Sequence, residues 1–334
     1  MRTACHVLMC FLLAWCGLTP LALAQDGDTT KDVASQKPLS ELASQKTLSD
    51  TDKVDMQSIL TANIKKLESP SAEEVASASK ALRDWSKSPA TPVFRGEFSK
   101  LACEPLSDVV KRAEPLQAIN AIEVLRCIQT YESLKTLALL GSSTESPTLN
   151  AGVRLAASRA VLASVRQGTD MNSAQASGLV RLLTEAVKGE TEWLSAWSQM
   201  SALGLIAKRN GMDAKAVTEA RRGQVEGLKA IEIKVVAGGA AKANLLRAAS
   251  RTMNSMFRDL ANASADRASI SGSLTPTLES FQKLGDSKPA GLQPDVQLAY
   301  EEAAKAAGKL LGLFKPAGKP VTKPAAKPAG KPAK

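Results

Sequence analysis

Three copies of Ala-x-x-Ala followed by an aliphatic residue constrain the fold of this chain more than any other feature. They are Ala78-x-x-Ala81-Leu82, Ala118-x-x-Ala121-Ile122 and Ala157-x-x-Ala160-Val161, and a half-copy follows at Ala202-Leu203. The second alanines (Ala81, Ala121, Ala160, Ala202) lie 40, 39 and 42 residues apart. That is the length of one helical hairpin, and hairpins repeated at a fixed period stack into extended arrays whose faces bind other molecules. The period therefore points to an interaction scaffold rather than an enzyme.

The ends of the chain read differently from its body. Arg2, the apolar run from Val7 to Leu18 and the Ala22-Leu23-Ala24 site have the layout of a secretory signal peptide, cleaved near Ala24. The apolar core is short for a membrane span, so a secreted or periplasmic protein is expected. Cleavage removes His6, Cys5, Cys10 and Cys16, which leaves no histidine and only Cys103 and Cys127. Histidine acid–base chemistry, Ser-His and Cys-His pairs and imidazole zinc sites are thereby excluded. No cofactor or metal is expected.

Residues 25–50 are polar and carry a tandem duplication, Ala34–Leu42 and Ala43–Thr51, which reads as a disordered linker. Residues 315–334 are five Lys-Pro tetrapeptides opened by Lys315, Lys319, Lys323, Lys327 and Lys331. Proline at every fourth position excludes helix, and an extended tail could reach about 60 Å. The chain carries 43 basic and 33 acidic residues. With Arg2 and the six tail lysines set aside, residues 25–314 hold 36 and 33, so the body is near neutral. Any attraction to an anionic envelope polymer would work through the tail.

From residue 51 to 314 the apolar period is helical. Helices are expected over 52–67, from Ser71 past Leu82, over 94–113 as one helix or as two divided at Pro105, over 115–129, 131–140, 150–167, 173–188 and 191–209, and in two longer stretches from Asp213 that meet near Gly238-Gly239. Gly168, Gly189 and Gly211 stand where C-cap glycines belong, and Ser71, Ser173 and Asp213 where N-caps do. Ile231–Val236 alternates with period two, so a strand is the alternative to helix there. Segments 276–284 and 294–314 would pack as an end cap.

The segment Asn150-x-x-Val153-Arg154-x-x-Ala157-x-x-Ala160-Val161 resembles the second helix of a HEAT repeat. An amide caps the helix, valines enter the core and alanines admit close helix approach. The Val-Arg pair occurs in this unit alone, and Gln199 replaces the first alanine of the fourth. The resemblance covers residues 70–210. It implies an all-α fold, an α-solenoid of antiparallel helix pairs over 51–212, with a C-terminal helical region over 213–314; an all-α bundle without repeats is the alternative. It also implies that the second helix of each pair lines a concave face. The column Lys80, Asn120, Arg159 and Ser201 would lie there, and its mixed charge suits a protein or peptide partner rather than nucleic acid; ordinary solvated surface is the bland alternative.

Cys103 and Cys127 are symmetric about the Glu114-Pro115 turn. Either a disulfide closes that hairpin or each thiol is buried separately. Ser77-x-x-Lys80 matches S-x-x-K by chance, without S-D-N or K-T-G elsewhere. Trp193 and Trp197, spaced i and i+4, read as core rather than as a ligand platform.

Overall fold

The computed structural model describes residues 37–87 and 89–314. The expected signal segment, the first part of the linker and the Lys-Pro tail lie outside the described residues.

Among the described residues there are thirteen α-helices, two short 3-10 segments and no strand. The helices are α1 (Leu39–Ala43), α2 (Asp50–Leu67), α3 (Ala72–Arg83), α4 (Pro92–Arg112), α5 (Pro115–Ile128), α6 (Tyr131–Leu140), α7 (Ala151–Arg166), α8 (Ser173–Gly189), α9 (Trp193–Ala207), α10 (Ala214–Gly238), α11 (Leu245–Leu260), α12 (Ser264–Asp286) and α13 (Pro294–Gly312). Their packing follows one rule. Each even helix from α2 to α12 touches the next even helix, and each odd helix from α3 to α13 touches the next odd one. Each even helix from α2 onward also packs on the odd helix that follows it. The described helices from α2 onward thus lie in two rows, with two successive clusters of buried apolar side chains.

Local chemistry sets the helix ends. Ser49 caps α2 and Ser71 caps α3, each accepting the backbone N–H three residues on. Asp213 does the same for α10, at 2.7 Å from Ala216 N. Before α8 the cap is Asn172, not the expected Ser173, whose hydroxyl instead accepts the backbone N–H of Asp213 one unit away. The turns leaving α5, α7 and α9 each use a left-handed residue: Gln129 (φ 55°), Gly168 (φ 84°) and Gly211 (φ 82°). These lie 39 and 43 residues apart, so the turns repeat with the alanines. They also touch one another, for Gln129 Nε2 donates to Gln167 Oε1 at 2.9 Å and Arg209 donates to the Thr169 carbonyl.

Alanines at the period do what their size suggests. Ala121, Ala160 and Ala202 are buried in the helices of the odd row. Ala81, on α3 at the start of the odd row, is exposed. Pro105 and Pro276 lie inside α4 and α12, and both helices continue through them. Ile231–Val236 is helical: Ile231 and Val235 are buried, while Ile233 and Val236 are exposed, which explains the strand-like alternation.

The linker does not extend to residue 50. Leu39, Leu42 and Ala43 of α1 are buried, and the Ala43 carbonyl accepts the backbone N–H of Thr91. In α2 Met56 is buried in the core and Val54 is exposed. Trp85 sits just beyond α3 in a 3-10 turn, where it packs edge-on against Phe94 and beside Phe98, ring centroids 5.1 and 5.5 Å away. Cys103 and Cys127 are free thiols. Cys103 is turned along the even row toward Thr136 of α6, within 3.4 Å of Ser99 Oγ, rather than across to α5 where Cys127 sits. Burial pushes its thiol pKa up.

Candidate functional site

Lys80, Asn120, Arg159 and Ser201 fall on α3, α5, α7 and α9, four consecutive helices of the odd row. Lys80 and Arg159 are exposed, and Asn120 and Ser201 are half-buried. Asn120 spends its amide on its own helix, Nδ2 donating to the Leu116 carbonyl at 2.9 Å. No hydrogen bond or ion pair joins the four among the described residues. Lys80 also carries the S-x-x-K match, and it and Ser77 are both exposed on α3. Cys103 and Cys127 lie apart from this column, and the tail lysines are outside the described residues.

One turn before Ser201 the same row presents Trp197, and one turn before that Trp193. Both indoles are half-buried rather than enclosed, and they rest on the apolar core. Arg251, from α11, lies over both rings: its guanidinium carbon is 4.8 Å from the Trp193 centroid and 5.3 Å from that of Trp197. A cation over two indole faces is held by the ring quadrupoles, at about 0.5–1 kcal/mol per exposed contact. Arg251 is exposed and has no carboxylate partner among the described residues. Its N–H edges therefore remain open to an acceptor from outside. On α5, one turn before Asn120, Leu116 is exposed, and Ile119 beside it is exposed as well.

The sequence explains the charge of this surface. Helices α7, α9 and α11 carry Arg154, Arg159, Arg166, Arg247, Arg251 and Arg258 against one acid, Asp259. That acid is already paired, with Lys208 at the end of α9 and with Arg221 of α10. Arg247 pairs with Asp295 at 3.3 Å, and Arg154 donates to the Leu149 carbonyl. Arg159 and Arg251 have no such partner among the described residues. Half-buried indoles, exposed aliphatic side chains and unpaired arginines on one row are the residue types that dominate protein interfaces.

The spacing of Trp193 and Trp197 was visible in the sequence. Arg251 was not, because it arrives from the next odd helix, more than fifty residues on. Among the described residues no group of histidine, cysteine and carboxylate side chains is placed to hold a metal ion. No family model matches the chain, and no curated protein matches it.

Proposed function

We propose that this protein is an exported, non-enzymatic scaffold that binds an acidic protein or peptide segment on the solvent face of its odd helices. In this reading the two rows form a HEAT-like α-solenoid. The stacking contacts support it: hydrogen bonds link residues 38 apart at Gln129–Gln167, 40 at Asp213–Ser173 and 41 at Gln199–Ser158, as expected where each unit packs on the next. The observation that carries the functional reading is Arg251 over Trp193 and Trp197. The indoles supply an apolar anchor and the guanidinium edge a carboxylate-binding fork, with Arg159 as a second cation on the neighbouring helix.

The test is co-purification of the chain from residue 25 onward with its own cell-envelope fraction. The wild type is compared with Trp197→Ala, Arg251→Glu and the pair Lys80→Glu/Arg159→Glu. The partner should be lost with Trp197→Ala and Arg251→Glu and weakened by the charge-reversed pair. A partner retained equally by all three variants removes this face. Deleting residues 315–334 in parallel measures what the Lys-Pro tail adds: salt-sensitive retention on anionic envelope polymer that disappears with the tail would assign it the role of tether.

A further inference from the structure

On the even row, α8 and α10 enclose a cleft of about 510 Å³ lined by Ser177, Gly178, Arg181 and Glu185 on one wall and Glu219, Arg222, Gly223 and Glu226 on the other. The two helices run parallel. Ser173 meets Asp213, Thr184 meets Gly223, Val187 meets Gly227 and Glu190 meets Lys234, so both chains ascend together. Residues at matching heights therefore face each other.

Two of the three acids that line the cleft share one cation. Lys188 Nζ lies 2.9 Å from Glu185 and 2.6 Å from Glu226, bridging the two walls. Those two hydrogen bonds raise its pKa, with Glu226 the larger cause. Glu219 is 3.9 Å from Lys215. One turn before Glu185 stands Arg181, and one turn before Glu226 stands Arg222. Both line the cleft, both are exposed, and neither has an ion-pair partner among the described residues. Two guanidiniums on facing walls repel one another, and an anion between them would turn that repulsion into two charge-assisted hydrogen-bonding forks. The Ser177 hydroxyl on the same wall adds a donor, while that of Thr184 is spent on the Val180 carbonyl at 2.8 Å.

We propose that this cleft binds a small oxyanion, a phosphoryl or carboxylate group, between Arg181 and Arg222, with Lys188 holding the two glutamates away from the arginines. Its volume is in the range of small-molecule sites, about 300–1,000 Å³. It lies on the row opposite Trp193, Trp197 and Arg251, so its test does not depend on the peptide reading.

The experiment is isothermal titration of the chain from residue 25 onward with inorganic phosphate, and separately with succinate, at constant ionic strength set by chloride. Arg181→Gln and Arg222→Gln should each weaken binding about tenfold. Lys188→Gln should also weaken it, although Lys188 does not touch the anion, because Glu185 and Glu226 are then free to occupy the arginines. Circular dichroism checks that each exposed-site variant keeps its helix content. Binding of phosphate alone assigns a phosphoryl ligand, and binding of succinate alone a carboxylate. No binding of either anion to the wild type, or binding unchanged in the Arg181→Gln/Arg222→Gln double variant, overturns the proposal.

Discussion

Gln199 of α9 donates through Nε2 to the carbonyl of Gly141, at the end of α6, across 2.9 Å. The same nitrogen lies 3.2 Å from Ser158 Oγ on α7, which itself donates to that carbonyl. Gly141 leaves the room: a Cβ there would come within 2.7 Å of the Ser158 hydroxyl. Gln199 stands where the other units have the first alanine of the pair. The departure from the pattern thus gives the buried Gly141 carbonyl a second donor beside Ser158, while Gln199 Oε1 is left without a partner among the described residues. Gln199→Ala restores the pattern but should destabilise the protein by about 2 kcal/mol, from the lost hydrogen bond and the space left behind. Urea denaturation checks the sign. A stabilised variant would show that the repeat pattern outweighs the carbonyl.

Much of this architecture was legible because it rests on local chemistry. Ser71, Asn150 and Asp213 as caps, Gly168 and Gly211 as left-handed turns, and the alanine period each need only neighbours within a turn or two. What was hidden depends on which helix meets which. Beyond Gly211 the register was lost because the units lengthen: α10 has 25 residues and α12 has 23, whereas α7 and α9 have 16 and 15. Contacts across the later units span 48 residues at Arg247–Asp295 and 52 at Ser250–Glu302, against 38 to 41 in the middle. Gln129 was missed as a turn residue because glycine, not glutamine, signals φ above zero. The partnership of Arg251 with the tryptophans has no local trace at all.

Arg221 carries the heaviest electrostatic load. It is 2% exposed, 3.4 Å from Asp259 at the end of α11 and 3.6 Å from Asp266 at the start of α12, and it donates to Gln224 at 3.1 Å. Removing one member of such a buried network strands the others. Arg221→Ala should cost about 3 kcal/mol. Lys100→Ala, which breaks the exposed pair with Glu97, should cost less than about 1 kcal/mol. Chemical denaturation of the two variants side by side tests the contrast. Equal losses would mean that solvent reaches Arg221.

Acid should loosen the attachment of α1. Asp52, 4% exposed, accepts from Lys37 Nζ at 2.9 Å and from Ser49 through both hydroxyl and backbone N–H. The hydrogen bond from Lys37, then those from Ser49, hold its carboxyl far below the usual range of about 4. The depressed value means that its stabilisation is complete above the unfolded carboxylate pKa. It fades as pH falls through that value toward the lower folded one. Lys37 is raised, chiefly by the same hydrogen bond, so its share persists until pH rises past the ordinary lysine range. The melting temperature of wild type should exceed that of Asp52→Asn at neutral pH, and the gap should narrow by about pH 3. A gap independent of pH would refute the ionic role.

The two cysteines should behave as unlike thiols rather than as a bridge. Cys103 is 8% exposed with its pKa raised by burial, so little of it is thiolate near neutrality. Cys127 is only half-buried. In the folded chain from residue 25 onward, a disulfide-exchange reagent should label Cys127 first and Cys103 only as fast as the structure opens. The unfolded, unreduced protein should release two thiols, and reductant should leave the melting temperature unchanged. Absence of titratable thiol in the unfolded, unreduced chain would place the two sulfurs in a disulfide. That would require α4 to turn Cys103 away from Ser99 and Thr136, and with them from its contact with α6.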